Sequence, residues 1–351
     1  MRPLPLRNPP NRWRKELVSY EESAAEDAPR VELTVFEDQT KQILSDNDSP
    51  DVGFKFSINP YRGCLHGCAY CYARPTHEYL GFGAGADFER KIVVKLHAAA
   101  LLREAFEKPS WQGELILFSG NTDCYQPLES SYGLTRACLA VCAEYGNPLH
   151  VITKSTLVER DADLLAELAA RGSASVTITI PFWDPPTARA LEPLVPTPVR
   201  RIETVRRLTA RGIPVSVNIA PLIPGLSDRD IVHILEAASE AGAISAAMIP
   251  LRLPGSVEPV FVERLREALP LSADKVLARV REMRGGKLND PRFGKRMQGD
   301  GPYIEAVRLL FDQTARRLGL GTREMDLTKD QTRPTTTFRR PTDRGGQLRL
   351  F

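Results

Sequence analysis

The chain has 351 residues, 42% hydrophobic and 26% charged, with a formal net charge of +3. That suits one large α/β domain with extensions, or two ordinary globular domains. No apolar run approaches the roughly 18 residues of a membrane span. The basic start MRPLPLRNPPNRWRKEL lacks the apolar core of a secretory signal, so a cytoplasmic location is expected.

Residues 1–50 are rich in Pro, Asn, Asp, Glu and Ser and read as an irregular N-terminal extension. From about 54 a rhythm begins. Apolar, β-branched runs at 54–60, 114–120, 149–155, 175–181, 214–221 and 244–251 predict six strands. Amphipathic patterns at 91–106, 132–146, 161–172, 200–212 and 228–242 predict helices between them. Several end in Gly just before the next strand, as helix C-termini do. Strand alternating with helix implies parallel strands joined by right-handed crossovers. Periodicity alone leaves a doubly wound sheet and a curled, partial barrel both open.

After 255 the pattern becomes helical, at 257–270, 272–283 and 303–320, with a basic, Gly-rich linker at 285–302. The expected organisation is thus extension 1–50, α/β core 51–255, helical extension 256–320, and a polar tail 321–351 read as disordered. Both ends are basic. Residues 1–15 carry five basic groups and no acid, and 331–351 carry five arginines and one aspartate. Such ends either neutralise nucleic-acid phosphates or are simply solvated.

Polar and reactive residues gather just after each predicted strand, at the carboxyl edge where α/β folds build their sites. A cysteine loop follows the first and Asn121-Thr122-Asp123-Cys124 the second. Lys154-Ser155 follow the third, Trp183-Asp184 the fourth, Pro224-Gly225 the fifth and Arg252 the sixth.

The cysteine loop, 59-NPYRGCLHGCAYCYARPTHEY-79, carries half of the chain's six cysteines as C-x3-C-x2-C at Cys64, Cys68 and Cys71. Clustered cysteines in a long cytoplasmic chain point to metal or redox work rather than disulfides. Three local thiolates suit a small iron–sulfur cubane with one iron left open. Structural zinc wants four ligands, and here His66 or His77 would supply the fourth. A zinc protein that binds nucleic acid without catalysis is therefore the alternative.

With Tyr70 as the aromatic, the trio resembles the C-x3-C-x-aromatic-C signature of radical S-adenosylmethionine (radical SAM) enzymes. NPYRGC (59–64), CYAR (71–74), Thr122-Asp123, ITKS (152–155) and RGIPVSVNIAPLIPG (211–225) extend the likeness to the subgroup similar to spore photoproduct lyase. The resemblance covers about 40–320 and implies a partial (β/α)6 TIM-like barrel. It implies a [4Fe–4S] cluster on the trio, and S-adenosylmethionine cleaved to a 5′-deoxyadenosyl radical that abstracts hydrogen. It further implies that Thr122, Asp123 and Lys154 seat the methionine part of that cofactor, with Tyr70 beside the adenine. An electron donor of flavodoxin or ferredoxin type is the expected partner; the substrate is left unidentified, with nucleic acid, in DNA repair or modification, the leading expectation.

The subgroup's hydrogen-donating cysteine is absent, because its place reads Ser119-Gly120-Asn121. Cys124 stands nearby as a displaced donor, or as an inert buried thiol. Cys138 and Cys142 share a helix face with apolar residues and read as core. His97, His150 and His233 read as structural. The last five residues, QLRLF, resemble the pentapeptide that docks bacterial repair proteins on the sliding clamp, through Gln347, Leu348, Leu350 and Phe351.

Overall fold

The computed structural model describes residues 33–322 and 336–341. The basic N-terminus and Gln347, Leu348, Leu350 and Phe351 lie outside the described residues. Ten strands fall among the described residues: β1 (Thr34–Glu37), β2 (Leu44–Asp46), β3 (Phe56–Ile58), β4 (Tyr61–Arg62), β5 (Lys91–Val94), β6 (Ile116–Phe118), β7 (Leu149–Thr153), β8 (Ala174–Thr179), β9 (Val215–Leu222) and β10 (Ser245–Pro250).

The main sheet runs β2-β3-β6-β7-β8-β9-β10. All its pairs are parallel except β2–β3. Its six parallel strands are those expected from the six β-branched runs. Their spatial order follows chain order without reversal, so every crossover winds the same way. A doubly wound sheet would reverse at a switch point; this one curls instead as a partial (β/α)6 barrel. Burial explains the sequence pattern. Val176, Ile178, Val215, Val217 and Ile219 are fully buried or nearly so against the surrounding helices. Alternate residues Ser175, Thr177, Thr179 and Asn218 occupy the other face. There His150 bridges Ser175 Oγ (2.7 Å) and Thr177 Oγ1 (2.9 Å).

The helices follow from their sequences. Pro198–Thr209 opens with Pro at its start and buries Ile202, Val205 and Leu208 at helical spacing. Leu134–Tyr145 stops at Gly146, whose φ of 62° is left-handed. One prediction fails: the helix expected over 91–106 begins at Ala98, because Lys-Ile-Val-Val at 91–94 forms β5. β5 pairs with β1 and β4 in a separate three-stranded sheet. The N-terminal extension is accordingly more regular than expected, with β1 in that sheet and β2 on the edge of the main one.

Three C-terminal helices follow: Val257–Ala268, Pro270–Met283 and Pro302–Arg317. The loop between the last two reaches back to the start of the core. Gly294 N–H donates to Asp51 Oδ1 (2.7 Å), Arg296 pairs with Asp51, and Arg296 Nη2 donates to Ser49 Oγ (2.6 Å).

The tail departs from the expected disorder at 336–341, which lie as a strap under the barrel. Thr336 Oγ1 donates to Gly113 O (2.9 Å), Thr337 Oγ1 to Gly146 O (2.6 Å), and Arg339 N–H to Tyr145 O (2.8 Å). Phe338 packs on Phe106 and Tyr145 with ring centroids 5.6 and 6.0 Å apart. A Cβ on Gly146 would come within 2.6 Å of Thr337 O, so glycine there makes room for the strap.

Candidate active site

The loop after β3 carries Cys64, Cys68 and Cys71, all free and at least largely buried. It is held from both sides. Cys64 N–H donates to Phe88 O (2.9 Å), and Ala69 N–H to Leu191 O (2.9 Å). Buried Arg74 donates to Cys68 O (2.8 Å) and Ala84 O (2.9 Å), and pairs with Glu89 (2.5 Å). Burial pushes all three thiols above the ordinary thiol range; Lys154 is the largest opposing influence on Cys68. A cationic metal centre would take the place of those protons.

Asp123, after β6, ties three elements together. Its Oδ1 accepts from Thr153 Oγ1 (2.7 Å) and Tyr125 N–H (2.9 Å), and its Oδ2 from Lys154 N–H (2.8 Å). His66 Nδ1, from the cysteine loop, stands 3.5 Å from Oδ2. Burial opposes ionisation, but the bonds from His66, Lys154 and Thr153 outweigh it and hold the carboxyl below its usual range. Thr122 is equally committed: it donates to Tyr61 O (3.0 Å) and accepts from Asn59 Nδ2 (2.9 Å). Lys154 is not. It forms no ion pair among the described residues, and its Nζ sits 5.6 Å from the centre of the Tyr70 ring.

Tyr70 is buried and its hydroxyl donates to Glu192. Glu192 in turn pairs with Arg201 at 2.6 Å, both side chains 1% exposed. Arg201 also donates to Thr179 O at the end of β8 (2.8 Å). The loop's aromatic residue is thus bolted to the barrel wall by a buried ion pair, a link spanning 122 residues that the sequence did not announce.

The trio, Tyr70, Thr122, Asp123 and Lys154 line one cavity of about 400 Å³ at the carboxyl edge of the strands. Asn218, Arg252, Tyr72 and Ser119 line it as well, and Arg296 and Met297 come from the C-terminal loop. Of these, Arg252 was marked by strand-end position, and Ser119 and Tyr72 by the family resemblance. Arg296 and Met297 were hidden because their loop is distant in sequence.

Cys124 does not join them. It is fully buried in the main apolar core, and its backbone is bonded to Ser119 Oγ (2.9 Å) and Thr135 Oγ1 (2.6 Å). Of the two expectations for this residue, its burial favours the inert thiol over the displaced hydrogen donor. Cys138 and Cys142 are core residues. His77, weighed as a zinc ligand, is buried with Nε2 on Lys91 O (2.8 Å), outside the cavity. Among the described residues, no three His, Cys, Asp or Glu side chains converge on a single ion position.

Comparison with known proteins agrees with this geometry. An uncharacterized protein of Mycobacterium tuberculosis is 36% identical over 263 residues, 74% of this chain and 76% of its own length. An uncharacterized protein of Methanocaldococcus jannaschii is 32% identical over 53% of this chain and 67% of its own. A radical SAM Nalpha-GlyT isomerase of Pseudomonas phage M6 is 25% identical over 59% of this chain and 42% of its own. Among solved structures, spore photoproduct lyase complexed with dinucleoside spore photoproduct superposes with a TM-score of 0.60 at 16% identity, over 88% and 86% of the two chains. The likeness at that identity is one of fold. The model of the Radical SAM superfamily matches residues 58–238, just over half of the sequence, and the chain therefore belongs to that superfamily as a radical SAM enzyme.

Proposed function

We propose that Cys64, Cys68 and Cys71 hold the [4Fe–4S] cluster and that Lys154 binds the carboxylate of S-adenosylmethionine beside it. The observation that carries this is one cavity lined by three free thiols and by a lysine that forms no ion pair among the described residues. The donor set fits a cluster. Three free thiols on one loop can each take a separate iron of a cubane and leave the fourth iron open to a further ligand. When bound, the cluster supplies the electron that cleaves S-adenosylmethionine.

The chain's own residues do the positioning. Asp123 fixes the Lys154 backbone and orders the ends of β6 and β7. Thr122 locks the start of the cysteine loop through Asn59 and Tyr61. Both were expected to touch the cofactor; both line the cavity, and we read their bonds as holding its walls as well. Tyr70, pinned by Glu192, forms the floor beneath the Lys154 ammonium and packs there by a cation–π contact.

The substrate we infer is a nucleic-acid component, with the reductant a flavodoxin or ferredoxin. What motivates the first part of this reading is that spore photoproduct lyase, of the same fold, was solved with dinucleoside spore photoproduct. Sliding-clamp docking through the terminal pentapeptide rests on sequence alone. The reaction class is tested anaerobically. Protein reconstituted with iron and sulfide should be brown, hold roughly four irons per chain, and form 5′-deoxyadenosine with S-adenosylmethionine and dithionite. Cys68→Ala should abolish both colour and product. A colourless wild-type protein with tightly held zinc would overturn the assignment, as would a reduced cluster that yields no 5′-deoxyadenosine.

A further inference from the structure

The cavity presents a second cation that forms no ion pair among the described residues. Arg252 follows β10, which ends the barrel, and lines the cavity. Its Nε is fully buried without a hydrogen-bond partner. Its Nη1 has only the Met297 thioether sulfur, 3.0 Å away, a weak acceptor. Among the described residues no carboxylate lies within ion-pair distance of it. The nearby Arg296 is already paired with Asp51 and hydrogen-bonded to Ser49. Burial first, and then Arg296, lower the Arg252 guanidinium below its usual range, while Tyr72 and Asp51 act in the opposite sense.

Burying a guanidinium without an acceptor costs several kcal/mol in general. Other buried arginines spend their Nη groups on strong acceptors even where Nε is left over: Arg74 has Glu89 and four backbone carbonyls, Arg201 has Glu192 and Thr179 O, and Arg284 has the carbonyls of Leu251 and Lys295; Arg252, half-buried, has no carboxylate or carbonyl acceptor among the described residues. Arg252 alone of these four lines the cavity. Lys154 is already assigned to the cofactor carboxylate. A second, separate cation remains for whatever else enters.

We propose that Arg252 is the substrate-anchoring residue and binds an oxyanion of the substrate, a phosphate or carboxylate group, through its guanidinium. Tyr72 stands at the same mouth, its hydroxyl on Gly120 O (3.1 Å) and its side 52% exposed, and offers a ring face to the part of the substrate next to the anion. The specificity follows from geometry: a guanidinium fork grips two oxygens at once, which an uncharged analogue cannot supply. This inference rests on the reading of the cavity as a radical SAM site, since Lys154 is taken there by the cofactor.

The test is calorimetric and uses reconstituted full-length protein. Three probes are titrated: a thymidine dinucleotide with one internal phosphodiester, N-acetylglycine, and uncharged thymidine. Wild-type protein should bind a charged probe more tightly than thymidine; whether that is the phosphodiester or the carboxylate identifies the source of the oxyanion. Arg252→Gln should weaken that probe by about tenfold or more, a loss of at least ~1.4 kcal/mol, and leave S-adenosylmethionine binding as it is. Arg252→Lys keeps the charge but not the fork, and should lose part of the affinity. This second variant carries the test if Arg252→Gln melts early. Equal binding of charged and uncharged probes by wild type overturns the proposal. So does an Arg252→Gln protein that binds like wild type, or one that loses S-adenosylmethionine to the same degree. The two readings fail separately. Arg252-dependent probe binding without any 5′-deoxyadenosine formation sinks the radical chemistry and keeps the anion site; the converse sinks the anion site alone.

Discussion

Glu192→Ala should unfasten the cysteine loop from the barrel. In the wild type, Glu192 takes the Tyr70 hydroxyl on one oxygen and Arg201, at 2.6 Å, on the other. Both charged side chains are 1% exposed. The substitution leaves the Arg201 guanidinium buried with only Thr179 O, and the Tyr70 hydroxyl without an acceptor. Breaking a buried pair from one side costs about 3–5 kcal/mol. The stranded hydroxyl would by itself cost about 1–3 kcal/mol, but the two share one network and do not simply add. A loss of about 3–5 kcal/mol is therefore expected, a large fraction of the roughly 5–15 kcal/mol that holds a typical domain folded. Urea unfolding of the cluster-free protein, followed by tryptophan fluorescence, measures it. Replacing the pair together, Glu192→Leu with Arg201→Met, removes the stranded charge and should cost less than Glu192→Ala alone. Reconstituted Glu192→Ala should also hold less iron than wild type, because the loop bearing Cys68 has lost its bolt. A cost below about 1 kcal/mol, the scale of a solvated surface pair, would refute the argument that this ion pair anchors the site.

Lys154→Gln should keep its iron and lose affinity for S-adenosylmethionine by about tenfold or more, as a charged hydrogen-bond partner is removed; equilibrium dialysis on the reconstituted protein reads both. His77 is pushed down to about 4 by burial, and its Nδ1 has no partner. The unfolded chain takes up that proton near 6.5. Stability from His77 is thus complete above about 6.5, is lost as the pH falls toward about 4, and is flat below, a change of up to about 3 kcal/mol. Urea midpoints at neutral and mildly acidic pH should separate less in His77→Gln than in wild type. Phe338→Ala should cost about 2 kcal/mol, less than a fully buried Phe because its ring is only partly covered, and thermal melts would show it. Gly146→Ala, in the wild-type background, should be worse than at an open left-handed glycine such as Gly172, since only the former meets the strap.

The parts of this molecule that were legible in the sequence are those written in local patterns. β-branched runs ending in reactive residues located six parallel strands and the edge on which the site is built. The spacing of Cys64, Cys68 and Cys71 marked the loop. What stayed hidden is long-range. Nothing near Tyr70 points to Glu192, and Phe338 sits among threonines and arginines that read as a solvated tail. Arg296 and Asp51 meet across 245 residues. The helix expected from 91 failed for a different reason: Lys-Ile-Val-Val is a β-branched run whose periodicity merged with the helix that follows. Cys124 shows the limit at single-residue scale, since a loop that turns between neighbours can send one side chain to the cavity and the next to the core.

The strap touches Gly113, Gly146 and Ser173, the residues leading into β6, β7 and β8. The opposite ends of those same strands deliver Asp123, Lys154 and Thr179. Three neighbouring rods are therefore clamped at one end while their free ends carry the chemistry. A slip of any one rod against the next would displace its working group by the same amount at the other end. Alignment between Asp123 and Lys154 is consequently set in part by a six-residue stretch that never comes near them.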